Sequence, residues 1–429
     1  MENNKIVIID DDPTGCQTVH DITIITCWDK QILKEVICEE DVFFILSNSR
    51  SLSPNKAHDT IKEIALALKS VQEKDMEFII ISRSDSTLRG HFYEELSALD
   101  KVFGPYDGIV VLPFFVEGNR ITLNDIHYIK EGESLISVDK TEFARDPVLG
   151  YKSSHLPTYI HKKSNGFWKR EECVSITIED IRNGGSDAIA SKLSGVKNNI
   201  AVVVNSETND DLKIAVDGIK LAEKAGKKFL FRTGASFVRE YAGILKKPLF
   251  DPGKKAKNCL IIAGSFVKKT TEQLAHLEQN ISVFKIQIDS VLVVSGEIGY
   301  KKELLQKIET GLQQNRKVLV CTEREYKAKG SGEDKIDFGK KLSAFICALV
   351  SDIQTQPDLI ISKGGITSYD VLKSGLGVRK SRVLGQVYPG IPVLKLDDSG
   401  KFPGSMFVIF PGNVGNEKTL TEVVKNYSN

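Results

Sequence analysis

Three consecutive carboxylates close to the start of the chain are the clearest candidates for catalytic side chains. In the segment IIDDDPTG, Asp10, Asp11 and Asp12 follow a short run of β-branched residues, and Pro13 and Gly15 fix a tight turn after them. At the end of a strand, one carboxylate can act as general base on a hydroxyl and another can help to hold Mg²⁺. Capping of a following helix is the structural alternative, but three successive acids exceed what a cap requires.

A second segment, ISRSDSTLRGHF, combines two arginines with an acid and two hydroxyls. Arg83 and Arg89 flank Asp85 and Ser86, and a helical pattern follows. A guanidinium group grips a carboxylate through two parallel hydrogen bonds, and a helix N-terminus adds oriented amides that favour anions. The segment therefore predicts an acidic substrate. The alternative is an ion pair of either arginine with Asp85 that only secures the loop.

Three glycine-containing segments stand out in the second half of the chain. IIAGSF, ISKGGITS and IFPGNVG each end a predicted strand in small residues, which lets backbone amides approach phosphates closely, with Ser265, Thr367 and Ser368 as hydroxyl donors. Together they predict a nucleotide-binding crevice, although a single glycine turn would be weak support. No G-x-x-x-x-G-K-[ST] occurs and no G-x-G-x-x-G follows a strand, so neither a P-loop nor a dinucleotide fingerprint is predicted.

The elements that must position these residues alternate between strand and helix. Short β-branched and aromatic runs predict strands at 5–10, 42–47, 77–82, 108–115, 200–205, 228–232, 259–263, 283–288, 318–322, 359–362, 392–396 and 406–410. Apolar residues at helical spacing predict helices at 55–69, 92–102, 210–225, 270–277 and 335–350. This alternation predicts an α/β fold with mostly parallel sheets covered by helices, in which ligands bind outside the carboxyl ends of the strands.

The length of 429 residues predicts two domains, because single cores usually stop growing at about 250–300 residues. The Pro-, Gly- and Lys-rich segment KKPLFDPGKKAK has the composition of an interdomain linker. We therefore expect an N-terminal domain over residues 1–247, a linker over 248–257 and a C-terminal domain over 258–429, with the active site in the cleft between the domains. Residues 118–168 interrupt the alternation, and we interpret them as an irregular excursion that forms an arm over the site.

Composition and charge narrow the classes of partner. The 58 basic and 57 acidic residues give a formal charge of +1, which argues against a nucleic acid bound through bulk electrostatics. Seven dispersed cysteines without a C-x-x-C indicate neither a disulfide framework nor a zinc site and suit a reducing cytoplasm. The first residues do not form a signal peptide, and no apolar run approaches the roughly 18 residues of a membrane span. We therefore expect a cytoplasmic protein.

In their order along the chain, the motifs DDDPTG, SRSDSTLRG, a Gly-Ser turn, KGGITS and PGNVG resemble the four-carbon acid sugar kinase family. The resemblance covers nearly the whole chain. It implies an N-terminal domain that binds a sugar acid and a C-terminal domain that binds a nucleotide. It also implies transfer of the γ-phosphate of ATP, with Mg²⁺, to the terminal hydroxyl of threonate, erythronate or a related 3-oxo acid. Pro13 stands where Leu is common and Arg83 where Lys is common, which leaves the identity of the acid open.

The resemblance also implies roles for individual residues. Asp11 and Asp12 are the catalytic candidates, and one of them is the base. The candidates for binding the sugar acid are Thr14, Gly15, Ser49, Arg50, Arg83, Asp85, Ser86, Arg89 and Gly90. Arg83 is included because of its place in the second segment. The nucleotide candidates are Gly264, Ser265, Gly364, Gly365, Thr367, Gly412, Asn413 and Gly415. No metal ligand is assigned.

Two other functions fit parts of the same sequence. IVIIDDDPT also matches the D-x-D-x-T signature of haloacid-dehalogenase-like phosphohydrolases, with Asp10 as nucleophile and Asp12 as acid and base. A noncatalytic sensor that binds a sugar acid and a nucleotide is the third alternative. The expected partners are the small acid and ATP, without nucleic acid or membrane, and the oligomeric state stays open with a homodimer as one alternative.

Overall fold

The computed structural model describes residues 3–264, 267–323, 332–412 and 414–429, and two predicted nucleotide residues, Ser265 and Asn413, lie outside these ranges. The strands are β1 Asn3–Asp10, β2 Ile22–Ile25, β3 Val42–Leu46, β4 Met76–Arg83, β5 Gly108–Leu112, β6 Arg120–Leu123, β7 Ile126–Glu131, β8 Ser134–Ser137, β9 Val174–Ile176, β10 Ile200–Val204, β11 Phe229–Thr233, β12 Cys259–Ala263, β13 Phe284–Ile288, β14 Lys317–Thr322, β15 Leu359–Lys363, β16 Lys380–Tyr388, β17 Ile391–Leu396 and β18 Met406–Phe410. The helices are α1 Lys30–Glu39, α2 Pro54–Val71, α3 Phe92–Phe103, α4 Leu156–Lys163, α5 Gly185–Ser194, α6 Asn209–Lys224, α7 Ala235–Tyr241, α8 Lys268–Asn280, α9 Ser290–Ser295, α10 Tyr300–Gln313, α11 Gly332–Asp352, α12 Gly365–Asp370 and α13 Thr419–Tyr427.

The chain divides into two compact units. The first comprises the residues up to Val19 together with Cys27–Lys246, and the second comprises His20–Thr26 together with Lys247–Asn429. The inclusion of His20–Thr26 in the second unit differs from the predicted domain limits. It follows from antiparallel pairing of β2 with β16, which no local sequence pattern reveals. Within the residues described, no helix is long and apolar enough to cross a membrane.

The first unit is built on a parallel sheet with the strand order β3-β1-β4-β11-β5-β10-β9. Its strands are largely buried because helices cover the sheet, which explains their β-branched and aromatic composition. The register pairs Asp10 with Leu46 on one side and with Arg83 on the other, and Arg83 with Thr233. The polar residues that end β1, β4 and β11 therefore lie together at one edge of the sheet.

The second unit is built on a mixed sheet. Strands β13, β14, β12, β15 and β18 are parallel in that order, and β17, β16 and β2 continue it with antiparallel pairing. The register aligns Ala263 with Lys363 and Lys363 with Phe410, so the glycine-containing segments that follow these residues start at the same edge. The predicted α/β class is confirmed. The antiparallel strands β17, β16 and β2 were not predicted as such.

The prediction of an irregular excursion at residues 118–168 was wrong about secondary structure. The segment contains an antiparallel sheet of β6, β7 and β8, followed by helix α4. Asn124 and Asp125 join β6 to β7 with φ of 51° and 61°, which is the two-residue turn that hairpins favour. An Asn-Asp pair between two short strands was the signal in the sequence. We keep the name excursion for residues 118–168.

Candidate functional site

Arg50 joins the two carboxylates that follow β1. Its Nη2 lies 2.5 Å from Asp11 Oδ1, its Nε 3.2 Å from Asp11 Oδ2 and its Nη1 3.2 Å from Asp12 Oδ2. Arg50 lies in the short turn after β3, which is the neighbour of β1 in the sheet. The parallel sheet thus brings the first predicted motif against the predicted Ser49-Arg50 pair at the ends of two adjacent strands.

Asp12 is the more accessible carboxylate of this pair. It caps the 3-10 turn Pro13–Thr18, because its Oδ1 accepts hydrogen bonds from Thr14 N at 2.8 Å and Thr14 Oγ1 at 2.5 Å. Burial opposes ionisation of Asp12, but Arg50 and the hydrogen bonds from Thr14 outweigh burial and lower its pKa. The side chain of Asp12 is 15% exposed and that of Asp11 is 1% exposed. Asp12 therefore combines a stable negative charge with access for a ligand.

Asp10 is fully buried beneath this pair. Its Oδ1 accepts hydrogen bonds from Arg83 Nη1 and from Asp12 N, each at 3.1 Å, whereas its Oδ2 has no hydrogen-bond partner among the residues described. Burial outweighs the attraction of Arg83 and raises the pKa of Asp10 to about 7. Gly15 lies directly against this carboxyl, since a Cβ there would be 1.7 Å from Asp10 Oδ2.

Gly15→Ala is expected to lower the free energy of unfolding by about 1–3 kcal/mol, because the new methyl group must displace the Asp10 carboxyl from a packed position. Gly339→Ala in α11 is the matched control. A Cβ at Gly339 meets no atom of the described part of the chain within 4 Å, and alanine is favoured over glycine in a helix by about 1 kcal/mol. Urea unfolding of both variants checks the prediction. An equal stability of Gly15→Ala and the wild type would contradict it.

The raised pKa of Asp10 gives a pH dependence with a defined sign. Between about pH 4 and pH 7 the folded protein holds a proton on Asp10 that the unfolded chain has released, so this group's contribution to stability falls as the pH rises and levels off above pH 7. Asp10→Asn is expected to remove that slope. Unfolding free energies of both proteins in urea, measured from pH 4.5 to pH 8, give the difference curve. Asp41→Asn, at a side chain that is 88% exposed, is the control. A difference curve for Asp10→Asn that is flat would contradict the prediction.

In the loop after β4, Asp85 is bound by two other residues of the same loop. Asp85 Oδ2 accepts hydrogen bonds from Arg89 Nε at 2.6 Å and from Thr87 Oγ1 at 2.5 Å. Burial opposes ionisation of Asp85, but the charges of Arg89 and Arg50 outweigh it and lower the pKa of Asp85. The ion pair named above as the structural alternative is therefore present. Arg89 nevertheless keeps 23% of its side chain exposed, so the pair does not prevent contact with a ligand.

A buried ion pair that the sequence reasoning missed lies under the site. Glu95 Oε1 accepts a hydrogen bond from Ser49 Oγ at 2.7 Å, and its Oε2 accepts one from Arg232 Nη1, which also donates to Ser82 Oγ at 2.7 Å. Gly90, with φ of +143°, makes room for this pair, since a Cβ there would be 2.7 Å from Arg232 Nη2 and 3.2 Å from Asp11 Oδ2.

The sequence did contain a signal for Glu95. It lies in α3 on the same helical face as Phe92, Leu96 and Leu99, which are all buried. A glutamate on an apolar face requires a buried partner. Arg232 is a polar residue at the end of a predicted strand, which is the other half of the signal.

The glycine segments of the second unit come together at the ends of β12, β15 and β18. Gly364, with φ of +108°, donates its N–H to Phe410 O at 2.8 Å, and a Cβ at Gly264 would lie 3.1 Å from Thr367 Oγ1. Gly365 begins α12, and no atom of the described residues would lie within 4 Å of a Cβ at Gly412. The structure therefore places the described nucleotide candidates of these three segments at one edge of the sheet.

Gly415 occupies the last part of the third glycine segment. It has φ of +77°, and a Cβ there would lie 2.4 Å from Thr419 Oγ1 at the start of α13. Gln273 of α8 donates its amide N–H groups to Val414 O at 3.2 Å and to Asn416 O at 2.8 Å. The Gln273 side chain thus holds the backbone on both sides of Gly415.

Lys363 is a second residue that the sequence reasoning missed. It ends β15, is fully buried, and donates from Nζ to Pro411 O at 2.6 Å, with Nζ 4.3 Å from the centre of the Phe410 ring. Burial and the nearby charge of Lys269 lower the pKa of Lys363 to about 7. Lys363 therefore ties the glycine segment after β15 to the one after β18.

The carboxylates do not form a metal cage in the part of the chain that the structure describes. No group of three or more His, Cys, Asp or Glu side chains is placed there to hold a metal ion. Asp11 and Asp12 face the guanidinium of Arg50 instead. We assign no protein ligand to Mg²⁺.

Two protein-family models match this chain, one in each half. Residues 6–241 match the family described as sugar-binding N-terminal domain, and residues 260–420 match the nucleotide-binding C-terminal domain. The two family models thus describe a two-domain protein that pairs a sugar-binding with a nucleotide-binding domain. The chain belongs to the four-carbon acid sugar kinase family.

One kinase and two solved structures are similar to this chain. A D-erythronate kinase of Heliobacterium modesticaldum is 27% identical over 255 residues, which cover 58% of this chain and only 53%, about half, of that kinase. A crystal structure from Salmonella typhimurium LT2 superposes with a TM-score of 0.71 at 17% identity, covering 99% of this chain and 100% of that one. One from Haemophilus influenzae gives a TM-score of 0.65 at 17% identity, covering 98% and 99%. At such identity these structures show that the fold is shared.

Proposed function

We propose that the protein is an ATP-dependent kinase that phosphorylates the terminal hydroxyl of a small, four-carbon sugar acid such as threonate, erythronate or a 3-oxo-tetronate. The observation that carries the proposal is the Asp11–Asp12 pair bridged by Arg50 at the carboxyl edge of a domain that matches the sugar-binding family. Family membership and the similarity to a D-erythronate kinase support the same reaction class.

Asp12 is the proposed general base. Its carboxylate is ionised and partly exposed, whereas Asp11 is sealed against Arg50. A positioned base of this kind accepts the proton of the attacking hydroxyl as the new oxygen–phosphorus bond forms and the bond from the γ-phosphorus to the bridging oxygen breaks, which releases ADP. Asp11 then acts by holding Arg50, which in turn orients Asp12. We therefore separate the two acids that the sequence left equivalent.

Arg50 and Arg89 are the proposed contacts for the carboxylate of the acid. The side chains of Arg50 and Arg89 are 15% and 23% exposed, whereas Arg83 and Arg232 are almost fully buried in ion pairs with Asp10 and Glu95. Guanidinium groups bind carboxylates in a fixed, two-point geometry. The proposal thus assigns substrate contact to Arg50 and Arg89 and moves Arg83 to a supporting role.

The second domain is the proposed ATP site. Gly264, Gly365 and Gly412 provide backbone that a phosphate chain can approach closely, and Thr367 adds a hydroxyl. Gly364 is buried with its N–H bonded to Phe410 O, so it shapes the turn. When bound, Mg²⁺ would neutralise charge on the phosphates, and in kinase sites it commonly keeps phosphate oxygens and water as most of its ligands. Lys363 holds two of the glycine segments in place and, being fully buried, is not proposed to touch ATP.

The two other functions account for the geometry less well. A phosphohydrolase that uses Asp10 as nucleophile needs that carboxyl to reach a phosphate, but Asp10 is fully buried and its Oδ2 lies against Gly15. A sensor without turnover has no need of an accessible, ionised Asp12 beside the acid-binding arginines. Both functions remain as outcomes of the experiment.

The test incubates the purified protein with Mg²⁺, ATP and a panel of threonates, erythronates, 3-oxo analogues and longer aldonates, following ADP and the mass of the product. ADP formed only with an acid, together with the matching phospho-acid, supports the kinase and identifies its substrate. Phosphate released from phospho-sugars without ATP would establish the phosphohydrolase. Saturable binding of acid and ATP without either product would establish the sensor.

A further inference from the structure

The excursion contacts three successive carbonyl groups of the loop that follows β4. His127 Nε2 lies 2.8 Å from Ser86 O, Tyr151 Oη donates to Thr87 O at 2.6 Å, and Tyr159 Oη donates to Leu88 O at 2.8 Å. These carbonyls belong to the loop whose Asp85 and Arg89 were described above. The side chains that bind them come from strand β7, from the irregular chain before α4 and from α4.

From this arrangement we propose that His127, Tyr151 and Tyr159 are positioning residues that set the affinity for the sugar acid by fixing the loop 85–90. The inference rests on the proposed function and adds to it a role for the excursion. All three side chains are buried, so they act on a ligand through the loop and not by contact.

The loop needs such support because its backbone is strained. Leu88 has φ of +65°, a conformation that costs a bulky L-residue free energy and that its surroundings must impose. The hydrogen bond from Tyr159 is made to the carbonyl of the strained residue itself. Loss of this hydrogen bond would let the backbone at Leu88 relax and would change the orientation of Arg89, the next residue.

The three supporting side chains are themselves held in place. Tyr159 packs edge-on against Tyr151 and Phe92, with ring centres 5.7 Å and 5.5 Å apart. His127 Nδ1 lies 2.8 Å from Thr122 Oγ1, and because its Nε2 faces a carbonyl, Nε2 carries the proton and Nδ1 accepts from the hydroxyl. Burial lowers the pKa of His127 to about 4, which keeps the ring neutral in this arrangement.

The excursion also contacts the proposed acid-binding arginine directly. Arg89 Nη1 lies 3.9 Å from Asp146 Oδ2, and its guanidinium lies 5.0 Å from the centre of the Phe143 ring. The same segment thus fixes the backbone of the loop and restricts the side chain that the loop presents. A shift of the excursion would move both together.

Tyr151→Phe and Tyr159→Phe test the inference, since each removes one hydroxyl and leaves the ring. We expect each to raise KM for the best acid of the panel about fivefold to 150-fold, the range for a lost hydrogen bond that leaves a buried carbonyl unpaired, with KM for ATP changed less than twofold. Tyr241→Phe is the matched control. Its buried hydroxyl donates to Glu223 Oε2 at 2.7 Å in the same domain, away from the loop 85–90.

Hydrogen exchange of the loop gives a second readout that needs no kinase activity. Amides of residues 86–90 are expected to exchange faster in Tyr151→Phe and Tyr159→Phe than in Tyr241→Phe. Equal loop exchange and equal KM for the acid in all three variants would overturn the inference. If the wild type forms no phospho-acid, the proposed function fails, and the exchange result still decides whether the excursion fixes the loop.

Discussion

Asp12→Asn is expected to lower kcat by about 10²–10⁴-fold, the usual contribution of a positioned general base, while KM for the acid changes only a few-fold. The asparagine keeps the shape of the side chain and can still accept the hydrogen bonds from Thr14, so the turn that Asp12 caps should persist. Steady-state kinetics with the acid identified by the panel, together with urea unfolding, separate the lost proton acceptor from a lost fold.

Asp11→Asn is the comparison that distinguishes the neighbouring acids. It weakens the anchoring of Arg50, so we expect a higher KM for the acid and a smaller decrease in kcat than for Asp12→Asn. The reverse order of kcat effects would assign the base to Asp11. The pH profile adds a check, because the pKa of Asp12 is lowered. The kcat of the wild type should then show no acidic decline attributable to the base above the ordinary aspartate pKa of about 3.9.

Much of the fold could be predicted because apolar runs and strand ends obey local rules. The strands β12 and β18 begin and end at the predicted residues, and the rule that parallel strands present their carboxyl ends at one edge placed Asp10 and Arg83 side by side. Helix spacing likewise located α3 and α6 to within a residue at each end. These features depend on short-range periodicity, which the sequence displays directly.

Contacts between distant parts of the chain could not be predicted in the same way. The pairing of β2 with β16 and the hydrogen bonds from Tyr151 and Tyr159 to the loop 85–90 join segments that no local pattern relates. The sequence also could not decide between an ion pair and a ligand contact for Arg89, since that depends on the exposed part of a side chain already bound to Asp85.

Glu95→Gln is expected to lower the free energy of unfolding by about 3–5 kcal/mol, because it removes the main counter-charge of the buried Arg232 and leaves only the weaker attraction of Asp11. The same change weakens the hydrogen bond from Ser49, which adjoins Arg50 in the chain. Glu77→Gln is the matched control. It breaks an ion pair with Lys228 in which the side chains are 63% and 60% exposed, and such pairs contribute about 0–1 kcal/mol.

The double variant Glu95→Gln with Arg232→Met distinguishes an unpaired charge from a merely smaller hydrogen-bond network. Since it removes both charges, it should be more stable than Glu95→Gln alone, although it carries one more substitution in the core. Urea unfolding of the four proteins at pH 7 measures each term. If Glu95→Gln loses no more stability than Glu77→Gln, or if the double variant is the least stable, the Glu95–Arg232 pair does not support the site in the way its geometry indicates. The expected order of unfolding free energies would instead mean that the Glu95–Arg232 pair supports Ser49, Arg50 and Gly90. The stability of the first domain and the geometry of its proposed acid-binding edge would then depend on the same contacts.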